Sequence, residues 1–141
     1  MEDRTRGQRE ALGNLLIAGS IAGLIAAGVN IAYMYLYESM SGYSYREEVN
    51  FMSVAIASFV PGVFAGMGLF MLLRFHLDNV IKTFVMLMIA VGVLSLLYPL
   101  IGTPGGVEEA HSGDFLMLTM PMHIIAVGIY TVMLVRTFRN V

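Results

Sequence analysis

Apolar residues run almost unbroken through four stretches of this chain, at about Leu12–Tyr37, Phe51–Leu73, Val80–Ile101 and Phe115–Val135, and polar residues crowd into the gaps. Each stretch meets or exceeds the ~20 residues that a helix needs to cross a hydrocarbon core roughly 30 Å thick. The central parts of all four lack Asp, Glu, Lys and Arg. Backbone groups in lipid must be hydrogen-bonded within their own segment, so stretches of this kind form helices. The pattern predicts an all-α, four-helix transmembrane bundle that makes up a single domain, with short loops and no extramembrane domain.

Inside each stretch, small and polar residues recur three or four positions apart, which collects them on one helix face. Span 1 carries Gly19, Gly23, Ala27 and Asn30, and span 2 carries Ser58, Gly62 and Gly66. Span 3 carries Met88, Gly92, Ser95 and Pro99, and span 4 carries Thr119, His123, Ala126 and Tyr130. Helices in lipid associate through close backbone approach at small residues and through hydrogen bonds between spans. Gly19, Gly23, Gly62, Gly66 and Gly92 are therefore expected at helix crossings, with all four stripes turned inward. Two G-x-x-x-G pairs exceed what one pair of spans needs, which leaves room for a homo-oligomer or a partner membrane protein. A four-span core would also consume both.

The charges then orient the bundle. Seven of the eight basic residues (Arg4, Arg6, Arg9, Arg74, Lys82, Arg136 and Arg139) fall on one side of the pattern, and only Arg46 falls on the other. Six of the ten acidic residues (Glu38, Glu47, Glu48, Glu108, Glu109 and Asp114) accompany Arg46. The positive-inside rule reads this as a multi-pass protein of the cell membrane with both termini cytoplasmic. The short link from Arg74 to Asn79 makes spans 2 and 3 antiparallel neighbours, with Asp78 or Asn79 expected to cap span 3. Tyr33, Tyr35, Tyr37, Tyr43, Tyr45 and Tyr98 gather near the outer interface, where an aromatic belt is expected. Spans 2 and 4 share a proline followed by glycine and a terminal arginine (Pro61, Gly68, Arg74; Pro121, Gly128, Arg136), the trace of a two-plus-two repeat.

Composition removes several functions. The chain is 57% hydrophobic and only 13% charged, with a mean hydropathy of +0.76, against roughly a quarter charged for a soluble domain. The bilayer is the expected main partner, and no basic cluster points to nucleic acid. The absence of cysteine removes disulfides and thiolate metal sites. No cofactor is expected. Glu108, Glu109, His111 and Asp114 match no established metal spacing, and Met117, Met120 and Met122 beside His123 do not share one helix face. The first stretch follows basic residues, yet it is too long for a signal-peptide core of roughly 7–15 residues, so a retained span is expected. No phosphate loop, paired catalytic carboxylates or nucleophile elbow is present, which argues against an enzyme.

The polar residues of the stripes also share a depth. Asn30, Ser58, Ser95, Thr119 and His123 all fall in the outer half, near Pro61 and Pro121, whose rings free a carbonyl one turn earlier. They form the candidate pocket, open toward the acidic external face. His123 is ionisable, and an ionisable group within a span is a functional candidate; its expected partner is Asn30 or a freed carbonyl. The alternative is a neutral histidine that only ties helices together. The sequence thus reads as a membrane protein that binds or transports a small or lipid-like ligand. A structural or accessory subunit acting through helix contacts is the second reading, and a membrane enzyme using His123 the third.

Two segments carry a resemblance: Leu94-Ser95-Leu96-Leu97-Tyr98-Pro99-Leu100 in span 3, and Met122-His123 followed by an apolar run and a terminal arginine in span 4. In these the chain resembles a bacterial family of small four-span membrane proteins of unknown function. The resemblance implies added weight for Ser95, Pro99 and His123, and it brings no activity with it.

Overall fold

The computed structural model describes residues 2–42, 44, 45, 47, 49–75, 79–101 and 113–139. They form four helices: α1 (Glu2–Ser41), α2 (Phe51–Arg74), α3 (Val80–Ile101) and α4 (Gly113–Phe138). No strand occurs among the described residues, and the architecture is the expected all-α bundle.

The helix α1 begins well before its apolar stretch. Its first turns hold Glu, Arg, Gln and Ala, all good helix formers, with Arg6 Nε 3.3 Å from Glu10 Oε1. That exposed pair contributes little; propensity and the long apolar continuation carry the segment. At 40 residues the helix is ~60 Å long, about twice the hydrocarbon core, so it projects beyond the membrane. It stops where Gly42 adopts φ +73, and the Gly42 N–H donates to the Glu38 carbonyl at 3.1 Å. That conformation suits glycine and ends the helix.

A capping box starts α2. The Ser53 N–H donates to Asn50 Oδ1 at 3.0 Å, and the Asn50 N–H donates to Ser53 Oγ at 2.9 Å. At the start of α3 the Asn79 carbonyl accepts the Thr83 N–H at 2.9 Å. The other expected cap, Asp78, lies outside the described residues, as do Tyr43, Glu48 and His111.

Packing departs from a symmetrical bundle. α1 packs against α2 and α4, while α3 packs on α4 and α2 and makes no contact with α1 among the described residues. The expectation that four stripes converge on one axis is corrected to three converging helices with α3 on their flank. The α1–α2 crossing takes both G-x-x-x-G pairs. A Cβ on Gly62 would lie 2.7 Å from the Gly19 carbonyl oxygen and 2.8 Å from Gly23 Cα. Gly66 and Gly19 are confined in the same way by opposing backbone. Gly92 is different: a Cβ there would meet the Val127 side chain at 3.3 Å, so this glycine accommodates a side chain of α4 and not a backbone crossing. Gly68 and Gly128, the matched glycines of the inferred repeat, would each meet nothing within 4 Å.

Two apolar clusters lie at different depths. One gathers Leu15, Ala22, Leu69, Phe84, Tyr130 and Leu134 toward the end that carries the chain termini. The other gathers Met34, Tyr45, Val54, Phe115, Leu118 and Met122 toward the α1–α2 link. There Tyr45 meets Phe115 edge-on, with centroids 5.5 Å apart. Large apolar residues such as Ile17, Leu24, Phe64, Ile89, Leu94 and Ile124 face outward and exposed. All four helices are long and apolar enough to cross a membrane.

Candidate ligand pocket

Asn30, Ser58 and Thr119 are the buried polar side chains among the described residues, and Asn30 and Ser58 are each only 3% exposed. Burying such groups in an apolar medium is costly unless they are hydrogen-bonded. The three solve this differently. Thr119 Oγ1 donates within its own helix to the Phe115 carbonyl at 2.9 Å. Asn30 Nδ2 donates outward from α1, to Ser58 Oγ of α2 at 3.0 Å and to the Met122 carbonyl of α4 at 3.2 Å. Tyr130 of α4 closes the set by donating its hydroxyl to the Ser58 carbonyl. Three helices are thus tied at one level by Asn30 and Ser58.

One atom of this knot is left over. Asn30 Oδ1 is buried and has no hydrogen-bond donor among the described residues. The Ser58 hydroxyl accepts from Asn30, and its own proton is directed to no acceptor among the described residues. Asn30 lines a cavity of about 420 Å³ between α1, α2 and α4, together with Ser58, Thr119, His123, Val54, Phe115 and Pro99. That volume lies within the roughly 300–1,000 Å³ of small-molecule sites. His123 borders the same cavity, half-buried, and makes no hydrogen bond with any described residue. Asn30 was its expected partner, but that amide is directed to Ser58 and Met122 instead. Tying helices together, the alternative role for His123, requires such a bond.

Four of the five candidate residues therefore meet. The fifth, Ser95, does not line this cavity. Its hydroxyl donates to the Gly92 carbonyl of its own helix at 2.8 Å, and it borders a neighbouring cleft of about 520 Å³ between α2, α3 and α4. The displacement follows from α3 sitting on the flank of the bundle. Pro99 of the same helix does reach the cavity.

Two contributors were not foreseen. Tyr33 donates to the Met117 carbonyl at 2.7 Å, and Tyr37 donates to the Asp114 carbonyl at 2.8 Å. Met117 lies four residues before Pro121, so its carbonyl has lost its helical N–H partner, and Tyr33 replaces it. These tyrosines hold α1 to α4 as well as lying near an interface, whereas Tyr35 faces outward in the manner of a belt. The signal was present in sequence: Tyr33 and Tyr37 continue the Gly23–Asn30 face by one and two further turns. Of the acidic set weighed as a metal site, Asp114 alone is described, and no group of three metal-capable side chains occurs among the described residues.

An apolar exterior, four helices long and apolar enough to span a membrane, and a polar knot beside a cavity define an integral membrane protein with a pocket among its helices. More particularly, the chain belongs to the family of unknown function DUF6069, whose model matches residues 10–140 and so covers all four spans. No curated protein and no solved structure matches it.

Proposed function

We propose that this protein binds a small or lipid-like ligand in the cavity between α1, α2 and α4. The observation that supports this most directly is Asn30 Oδ1, a buried acceptor with no donor among the described residues, on a side chain that borders the cavity. Leaving such an acceptor unpaired costs about 1–3 kcal/mol, a penalty that a ligand donor relieves. His123 adds a second group free to bond, and its lack of a helix-to-helix hydrogen bond favours a ligand role over a structural one. The positive-inside bias supports both termini in the cytoplasm of a plasma-membrane protein. The pocket then belongs to the external half, below a loop side with six acidic residues and one basic residue.

Binding, with or without transport, is a better reading than catalysis, because no nucleophile–base pair occurs among the described lining residues: His123 bonds to none of them, and Thr119 donates within its own helix. The test is native mass spectrometry of the protein released from mild detergent, comparing the wild type with Asn30→Leu. A molecule retained at about one per chain by the wild type and lost from a folded Asn30→Leu supports the site. Identical spectra for the two proteins refute it.

A further inference from the structure

The cavity does not stand alone. Ala57, His123 and Ala126 border both it and the cleft between α2, α3 and α4, so the two spaces meet at these residues. Two of the three are alanines, so little side chain stands between the two spaces. The cleft is of a different chemistry from the cavity. Phe64, Leu72, Phe84, Leu87, Met88 and Val91 line it. Its two hydroxyls are already committed, Ser95 to the Gly92 carbonyl and Tyr130 to the Ser58 carbonyl. Apart from His123 at the junction, the described lining offers a guest only apolar side chains. A chamber that holds several polar groups in an otherwise apolar lining thus adjoins an apolar trough beside the membrane-facing surface of α3.

We infer that the ligand is a neutral, single-chain amphiphile with a hydroxyl head, its head at Asn30 and His123 and its chain in the α2–α3 cleft. This rests on the binding reading and adds the class of molecule. The head must donate, because Asn30 Oδ1 can only accept. It is taken as neutral, because neither space is lined by Asp, Glu, Lys or Arg among the described residues, and an ammonium group buried without a carboxylate is strongly disfavoured. A carboxylate or phosphate head would face the Asn30 oxygen with no Lys or Arg to balance it among the described lining residues. A hydroxyl satisfies both conditions and also accepts the free Ser58 proton. One cleft accommodates one chain.

The test uses the full chain in nanodiscs and a long-chain 1-alkanol carrying a diazirine at mid-chain, with crosslinks mapped by mass spectrometry. Crosslinks are expected at cleft residues such as Leu72 and Met88, and 1-dodecanol should compete roughly tenfold better than dodecanoate or dodecane, the worth of one buried hydrogen bond. Gly68 borders the cleft, and a Cβ there meets nothing within 4 Å. Gly68→Leu should therefore fill the trough without disturbing the fold and abolish the crosslinks. Crosslinks spread over lipid-facing Ile17 and Ile124, or equal competition by dodecane, would overturn the assignment. If Gly68→Leu still binds the alkanol while Asn30→Leu does not, the cleft is wrong and the binding reading stands. If neither variant changes binding, both fail.

Discussion

At the scale of single residues, the chain distinguishes polar groups that hold helices together from one that is left to do something else. Asn30 Nδ2, Ser58 and Tyr130 are structural, and Asn30 Oδ1 and His123 are not occupied. His123→Ala should consequently leave the unfolding midpoint nearly unchanged, whereas Tyr130→Phe, which strips a donor from the Ser58 carbonyl, should lower stability by roughly 0.6–2 kcal/mol in denaturant titrations. Tyr33 permits a sharper check. Its bond compensates the carbonyl freed by Pro121, so Tyr33→Phe should cost stability in the wild type and much less in a Pro121→Ala background, where the helix recovers its own N–H. Additive losses in that double-mutant cycle would contradict the compensation. Asn30, Ser58, Thr119 and His123 were legible from sequence because polar residues within an apolar span are rare and need a partner or a purpose. Which atom of Asn30 would be left over was not legible, because that depends on where Ser58 and the Met122 carbonyl lie in space.

At the scale of helices, the crossing of α1 and α2 is the tightest joint. Gly62→Ala should pry the two apart, because the added methyl meets backbone atoms that cannot rotate away, and a loss of about 1–3 kcal/mol is expected. Gly68→Ala, in the same helix with open space around it, should be neutral or slightly stabilising. Equal effects at the two positions would mean that the crossing is not where the structure puts it. The approximate bounds of α2, α3 and α4 and the four glycines of the α1–α2 crossing were readable, since hydropathy marks the spans and small-residue spacing marks a face. The misplacement of Ser95 shows the limit of that reading. Periodicity names the face a residue occupies but not the neighbour that face meets, and α3 meets α4 and α2 without reaching α1. The α1 extension to Glu2 was missed for a related reason: hydropathy detects lipid, and a helix that continues into water leaves no trace in it.

At the scale of the whole molecule, both G-x-x-x-G pairs are used within one chain, which removes the sequence argument for self-association through them. Orientation and pocket are linked, because the cavity lies toward the α1–α2 link and every arginine but Arg46 falls on the side of the termini. Tags on the N- and C-termini of the protein in intact cells should both resist external protease, while a tag inserted after Gly42 should be cleaved; the reverse pattern would place the pocket in the cytoplasmic half. The membrane class was legible from composition alone, since lipid as solvent leaves few sequences open. The ligand was not, because a cavity is a property of several helices together. The most direct test of a site at His123 is the thermal unfolding of the wild type and His123→Ala, in the same detergent, with and without 1-dodecanol. The expected result is equal melting temperatures without the alcohol and a stabilising shift for the wild type that is lost or strongly reduced in the variant. An equal shift in both proteins would contradict the site.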